Sequence, residues 1–360
     1  MMERLTYLIL VTIIWMAKAG AEVCPDSCKC SKKSGQEKTE VNCHKRGLRS
    51  FPSRLPSDAW VLKLGENGIT DLQANILGAV PRIESVILEH NAIKSIHRQA
   101  FSSAKTLTLL SLYGNHVKYL PPRAFKDLLN LRFLMLGQNQ IGSLKANMFI
   151  GMRNLSELDL PENALTVLSP NTFKPLIALK VLDLSLNRIQ KMSPKAFTGL
   201  RQLMFLNLDN NSLKNLSAGG FKPLSSLEML VLDNNLLSTL SPLMLTGLGV
   251  LQELYLRNND LEHLPPDAFK DMPKLSQLAV SGNRLKTVDG NTLARIPSLK
   301  KLHLHDNPWQ CDCNIVQLVQ WMRQTNVTLS PREALKCEGP PEVRKKTLSS
   351  LQESKLLCYA

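Results

Sequence analysis

LKVLDLSLNRIQKMSPKAF, residues 179–197, decides the fold. Leu182 and Leu184 stand five and three residues before Asn187, and Ile189 stands two after it. The same frame reads Leu134, Leu136, Asn139 and Ile141. The asparagine returns every 24 residues, eleven times, at Asn67, Asn91, Asn115, Asn139, Asn163, Asn187, Asn211, Asn235, Asn259, Asn283 and Asn307. Alternate side chains of a strand face opposite ways. The paired leucines therefore point into a coil while their neighbours point out. The asparagine marks where the chain turns away from the strand. Its amide donates and accepts, so it can satisfy backbone groups of its own and adjacent turns.

Ten residues after each of the first ten asparagines comes a second column, running Leu77, Phe101, Phe125, Phe149, Phe173, Phe197, Phe221, Leu245, Phe269 and Leu293. Seven of the ten phenylalanines sit there, which predicts a stacked spine on the convex side. One coil cannot bury its own apolar face, so stability must come from stacking of neighbours. The fold class is an α/β solenoid: a curved horseshoe with a parallel concave sheet, eleven 24-residue-type coils and closed ends. At sheet spacing it is roughly 50 Å long.

Working outward, residues 1–21 read as a secretory signal peptide, with Arg4, an apolar run from Leu5 to Ala17 and then small residues. A retained anchor is the alternative. The remaining divisions are a cysteine-rich N-terminal cap over 22–58, repeats over 59–308 and a cysteine-rich C-terminal cap over 309–360. No later stretch has the length or purity of a membrane span. A secreted protein is expected, in the extracellular space or matrix, with any membrane attachment supplied by a partner. The eight cysteines cluster outside the repeats, as Cys24, Cys28, Cys30, Cys43 and as Cys311, Cys313, Cys337, Cys358. Two disulfides per cap suit an oxidising compartment and a solenoid that must close its ends. Zinc is the rival reading, although paired C-x2-C spacing is missing. Spacing alone leaves three pairings per cluster. Asn154, Asn210, Asn215 and Asn326 each open an N-glycosylation sequon.

Asn307-Pro308-Trp309-Gln310-Cys311-Asp312-Cys313 followed by Trp321, joined to the repeat frame, carries a resemblance. The chain resembles the extracellular leucine-rich-repeat family with cysteine-rich N- and C-terminal caps. Chondroadherin, Slit, the Nogo receptor, the platelet glycoprotein Ib–V group and lamprey variable lymphocyte receptors belong to it. The resemblance implies the pairings Cys24–Cys30, Cys28–Cys43, Cys311–Cys337 and Cys313–Cys358. Asp312 or Asn314 is expected to cap a helix carrying Ile315, Leu318, Val319 and Met322.

No phosphate loop, dinucleotide motif or nucleophile elbow occurs, so no enzyme, catalytic residue or cofactor is expected. His303 and His305 share a strand face, but two imidazoles without a third ligand read as surface residues and not as a metal site. The surface open to function is the concave sheet, at positions six, four and two before each ladder asparagine. Its charged members are Lys63, Glu89, Glu157, Asp159, Asp183, Asp209, Asp233, Glu253, Arg257 and Lys301. Acids outnumber bases there although the whole chain has a formal charge of +14. Asp159 with Asp183, and Asp209 with Asp233, are like charges on adjacent strands, which costs energy without a counter-charge. A solvated, screened stripe is the bland reading. Apolar residues cluster beside them: Leu109, Tyr113, Phe133 and Met135, then Val181, Phe205, Met229, Val231 and Tyr255. Such a mixture suits a protein interface.

The protein-binding candidates are thus Phe133, Met135, Asp159, Asp183, Phe205, Asp209, Met229, Asp233 and Tyr255. An extracellular protein ligand or receptor is the first expected partner. The basic N-terminal cap, with Lys32, Lys33, Lys45 and Arg46, is a candidate for a glycosaminoglycan, or is simply a solvated cap. Self-association as a homodimer is a further candidate, and nucleic acid is not expected. An extracellular-matrix or cell-adhesion role leads. A soluble immune-type recognition receptor and a regulatory subunit of a secreted enzyme follow.

Overall fold

The computed structural model describes residues 24–32, 35 and 37–356. The expected leader at 1–21, Lys33 and Cys358 lie outside the described residues. Among the described residues, one sheet of fourteen strands runs from Lys29–Lys32 to Thr328–Leu329. Eleven of these strands are the L-x-L segments, from Ala59–Lys63 through Val181–Asp183 to Lys301–His303. The sheet is longer than the repeat count because both caps add to it. At one end the hairpin Lys29–Lys32 and Thr39–Asn42 joins, antiparallel within itself and parallel to the first repeat strand. At the other end Thr328–Leu329 pairs with Lys301–His303. The repeat strands are parallel and register residue to equivalent residue, as with Asp183 opposite Asp159.

The ladder asparagines tie the coils together. Asn187 Nδ2 donates to the Leu184 and Ser185 carbonyls of its own coil at 3.1 and 3.0 Å, and to Leu160 of the preceding coil at 2.9 Å. Its Oδ1 accepts from the Leu165 amide at 3.1 Å. The ladder begins against the N-terminal cap: Asn67 of the first coil bonds Cys43, Arg46 and Leu48 of the cap. Buried backbone groups at every turn thus gain partners that a bare turn would leave unmade. The phenylalanine spine is buried and stacked, with Phe173 and Phe197 centroids 6.2 Å apart at 8°.

A column unseen in the sequence accompanies the ladder. The residue before every ladder asparagine has a left-handed backbone: Glu66, His90, Gly114, Gln138, Glu162, Leu186, Asn210, Asn234, Asn258, Gly282 and Asp306, with φ between 50° and 68°. Glycine and asparagine adopt this region readily, and Leu186 does so at a steric cost.

In the C-terminal cap, the Asp312 side chain accepts from the Asn314 amide and opens a short 3-10 turn, Cys313–Ile315. The helix Val316–Gln324 follows and buries Leu318, Val319 and Met322 against the last coil. Trp309 is fully buried beneath it. Disulfides join Cys24 to Cys30, Cys28 to Cys43 and Cys311 to Cys337. Cys313 is also disulfide-bonded, and the partner expected for it, Cys358, lies outside the described residues. No helix among the described residues is long and apolar enough to cross a membrane.

Candidate protein-binding site on the concave sheet

Strand alternation places two adjacent columns on the concave sheet. One runs Phe133, Glu157, Val181, Phe205, Met229 and Glu253. The other runs Met135, Asp159, Asp183, Asn207, Val231 and Tyr255. All these side chains are half-buried, which is what a pleated, inward-curving surface allows. The face offers rows of apolar side chains interrupted by carboxylates, without a deep cleft.

The carboxylates are not alike. Glu157 and Asp159 share a strand, and Asp183 sits opposite Asp159. No cation bonds any of the three among the described residues. Asp183 accepts from the Ser185 amide at 2.8 Å and from Asn207 Nδ2 at 3.2 Å. Burial, followed by the charges of Glu157 and Asp183, pushes the Asp159 carboxyl up to about 6. Asp209 is held by two amides, Asn234 Nδ2 at 2.8 Å and Asn210 Nδ2 at 2.9 Å.

Asp233 departs from the expectation that it faces a partner. Its side chain is 5% exposed and is enclosed by Arg257. Arg257 Nε and Nη2 donate to Oδ2 at 2.8 and 2.6 Å, and the Arg257 amide donates to Oδ1 at 2.6 Å. Burial raises the Asp233 carboxyl, and the bonds to Arg257 pull against it. The same guanidinium lies 5.1 Å from the Tyr255 ring centroid, a cation–π distance. Tyr255 in turn donates its hydroxyl to Glu253 at 2.5 Å, and burial with that bond pushes the phenol up to about 12. Tyr255 is therefore part of a half-buried polar network on the sheet face. The signal existed in the sequence: Arg257 stands 24 residues after Asp233, one coil along the same column.

Five overlapping matches to the leucine rich repeat family cover residues 61–117, 105–165, 153–213, 201–261 and 250–308. The chain belongs to the leucine-rich repeat family. A leucine rich repeat N-terminal domain also matches at 23–56. Leucine-rich repeat-containing protein 3 of Danio rerio is 31% identical over 125 residues, 34% of this chain and 46% of that protein. Leucine-rich repeat-containing G-protein coupled receptor 5 of Homo sapiens is 32% identical over 101 residues, 28% of this chain and 11% of that protein. The matched stretches thus span less than half the length of these curated relatives.

Among solved structures, a chain of the octameric complex of Latrophilin 3, Unc5D and FLRT2 (its leucine-rich repeats) is similar over 93% of this chain and 100% of its own. It has 27% identity and a TM-score of 0.77. A chain of the Drosophila Toll–Spatzle complex, 21% identical, shares the fold at TM-score 0.66 over 84% of this chain and 49% of its own. Capped repeats of this kind and their disulfides fit an extracellular protein-binding module, a class that is generally non-enzymatic.

The remaining candidates fall elsewhere in this leucine-rich-repeat chain. In the N-terminal cap, Lys45 pairs with Glu66 at 2.9 Å and Lys32 lies 3.8 Å from Asp58. Arg46 is exposed, its amide bonded to Asn67. The sequon residues Asn154, Asn210, Asn215 and Asn326 are all exposed. Asn154 and Asn210 already use their amides, on the Leu129 carbonyl and on Asp209 respectively. His303 Nδ1 meets the Ser330 carbonyl at 2.9 Å, which fixes that ring against the C-terminal cap.

Proposed function

We propose that the protein binds an extracellular protein across the concave face of coils four to nine, with basic partner groups meeting Glu157, Asp159 and Asp183. The observation that carries this reading is the position of that carboxylate trio. Among the described residues it has no bonded cation, and it lies between Phe133 and Met135 on one side and Val181, Phe205 and Met229 on the other. A partner Lys or Arg relieves the repulsion, and covering the flanking rings and thioethers supplies hydrophobic stabilisation of about 1.5–3 kcal/mol per fully buried side chain. Charge then sets the approach rate and the apolar anchors set the residence time.

The similarity to a chain of an octameric assembly of FLRT2 with Latrophilin 3 and Unc5D supports a role in extracellular protein assembly. A matrix or cell-adhesion ligand is the reading we favour over an immune-type receptor or an enzyme's regulatory subunit. A concave-to-concave homodimer fits less well. A two-fold axis through the middle of the face sets like carboxylates against each other.

Three forms of the secreted protein, compared as baits in extracellular fluid and matrix extracts, test this. They are the wild type, Asp159→Lys with Asp183→Lys and Phe205→Ala, and the convex control Lys174→Glu. A partner held by the wild type and the control is expected to be lost from the triple variant. For Phe205→Ala alone, dissociation is expected to accelerate by the equivalent of about 1–3 kcal/mol. Retention by the triple variant with loss from the control places the site on the convex side instead.

A further inference from the structure

Each coil rises to its concave strand through a flank that faces sideways, away from the acidic sheet. Over coils three to seven this flank presents Lys105, Arg132, Arg153, Lys180 and Arg201, one cation per coil. The five alternate between two columns. Lys105, Arg153 and Arg201 lie ten residues before their ladder asparagines, and Arg132 and Lys180 lie seven before theirs. All five are exposed, and none enters an ion pair among the described residues. Asp127 is the lone carboxylate in the corresponding segments of these coils.

The N-terminal cap differs in that part of its positive charge is paired. There the excess positive charge suggests polyanion binding by composition; Lys38 pairs with Glu84 and Lys45 with Glu66, while Arg46, Arg49 and Arg54 stay exposed and enter no ion pair among the described residues.

The flank is rigid. Backbone bonds carry the sheet ladder into it, from Arg132 N to Thr108 O, Ser156 N to Arg132 O, and Lys180 N to Ser156 O, at 2.8, 2.9 and 2.8 Å. Between Arg132 and Lys180 lies a shallow depression of about 340 Å³ whose floor includes Asn130, Asn154 and Ser156, with no carboxylate in its lining. Asn130 and Asn154 are pinned by bonds to the carbonyls of Lys105 and Leu129, both 2.8 Å. In the ten-before column the cations alternate with exposed Leu129 and Ile177. The pattern therefore repeats every second coil, roughly 10 Å at sheet spacing.

We propose that this flank is a binding track for a linear sulfated polysaccharide, a glycosaminoglycan lying along the solenoid axis. A zigzag of fixed cations at regular intervals matches a polymer whose anionic groups recur along its length. Leu129 and Ile177 offer contacts to the apolar faces of its sugar rings. The floor holds no aromatic ring on which a base could stack, which disfavours single-stranded nucleic acid. The disulfide-bonded caps belong to the compartment where such polysaccharides occur. This track does not depend on the concave reading.

The test measures binding of the full secreted protein to an immobilised heparin oligosaccharide of defined size, every form carrying Ser156→Ala so that no glycan can be attached at Asn154 in the floor of the depression. The flank variant combines Arg132→Gln, Arg153→Gln, Lys180→Gln and Arg201→Gln. The cap variant combines Lys32→Gln, Lys45→Gln and Arg46→Gln. The flank variant is expected to lose about tenfold or more in affinity, since four exposed contacts each contribute a modest factor. Its binding is also expected to depend less on salt. The cap variant is expected to stay within about twofold of the wild type. Unchanged thermal unfolding shows that the flank variant keeps its fold, as exposed side chains require. Wild-type affinity in the flank variant overturns the proposal, and so does a larger loss in the cap variant. Displacement by charge-matched single-stranded DNA as effective as by free heparin also overturns it, because the surface is then a generic polyanion binder.

Discussion

Asp159 and Asp233 occupy the same concave sheet three coils apart, yet the molecule uses them oppositely. Asp233 is buried under Arg257, which brings three donors to its carboxylate. Asp159 has Met135 on one side and Asp183 on the other, with Glu157 two residues before it. The residue type is the same, and the neighbour one coil along decides the outcome. Where that neighbour is Arg257, the carboxylate becomes part of the fold. Where it is another acid, the sheet keeps unbalanced charge that a partner can neutralise. A charge on a solenoid face therefore has to be read with its register mates.

Breaking the Asp233 side should cost most. Arg257→Leu leaves a buried carboxylate without its cation and is expected to destabilise the protein by about 2–4 kcal/mol, allowing for some rehydration. Chemical denaturation at neutral pH measures it. A loss under about 0.5 kcal/mol, the size of an ordinary surface substitution, dissolves the distinction between the two regions.

The Asp159 side should respond with the opposite sign. Asp159→Asn removes a charge that burial and two acids disfavour, and is expected to stabilise by on the order of 1 kcal/mol at neutral pH after discounting for solvent screening. The sign follows from the raised value. Between the ordinary 3.8 and about 6, the folded protein binds more protons at this group than the unfolded chain does. Wild-type stability should therefore fall as pH rises through that window, and the Asn variant should lose that component. Denaturation curves across the window decide it, and an unchanged pH profile in the variant counts against the uncompensated cluster.

The smallest effect is expected from Tyr255→Phe, which removes one hydroxyl bond to Glu253 while keeping the ring beneath Arg257. A loss of about 0.5–1.5 kcal/mol is expected by denaturation. A loss as large as that of Arg257→Leu would mean that the phenol, not the guanidinium, holds the network.

Much of this architecture is legible in sequence because a repeat reports each structural position eleven times. The Asn187 frame gives the strand and the turn, and Phe173 with its equivalents gives the spine. The left-handed position was hidden because Glu66, His90 and Leu186 occupy it alongside Gly114 and Asn210, so no single residue type marks it. The caps escape the repeat, and only the structure shows that Thr39–Asn42 and Thr328–Leu329 extend the sheet. The concave candidates were legible as positions but not as roles. Alternation says that Asp233 points off the sheet, while its burial depends on where a long Arg257 side chain folds. That choice is made by side-chain packing, which periodicity does not encode.

The central distinction is most directly tested by carbon-detected NMR titration of aspartate carboxyls in the intact protein, with Asp159→Asn identifying the Asp159 signal. Asp159 is expected to titrate with a midpoint near 6, and replacing Asp183 by Asn should lower that midpoint. A midpoint in the ordinary aspartate range of about 4, unmoved by Asp183→Asn, would contradict the picture of an uncompensated carboxylate cluster awaiting a basic partner.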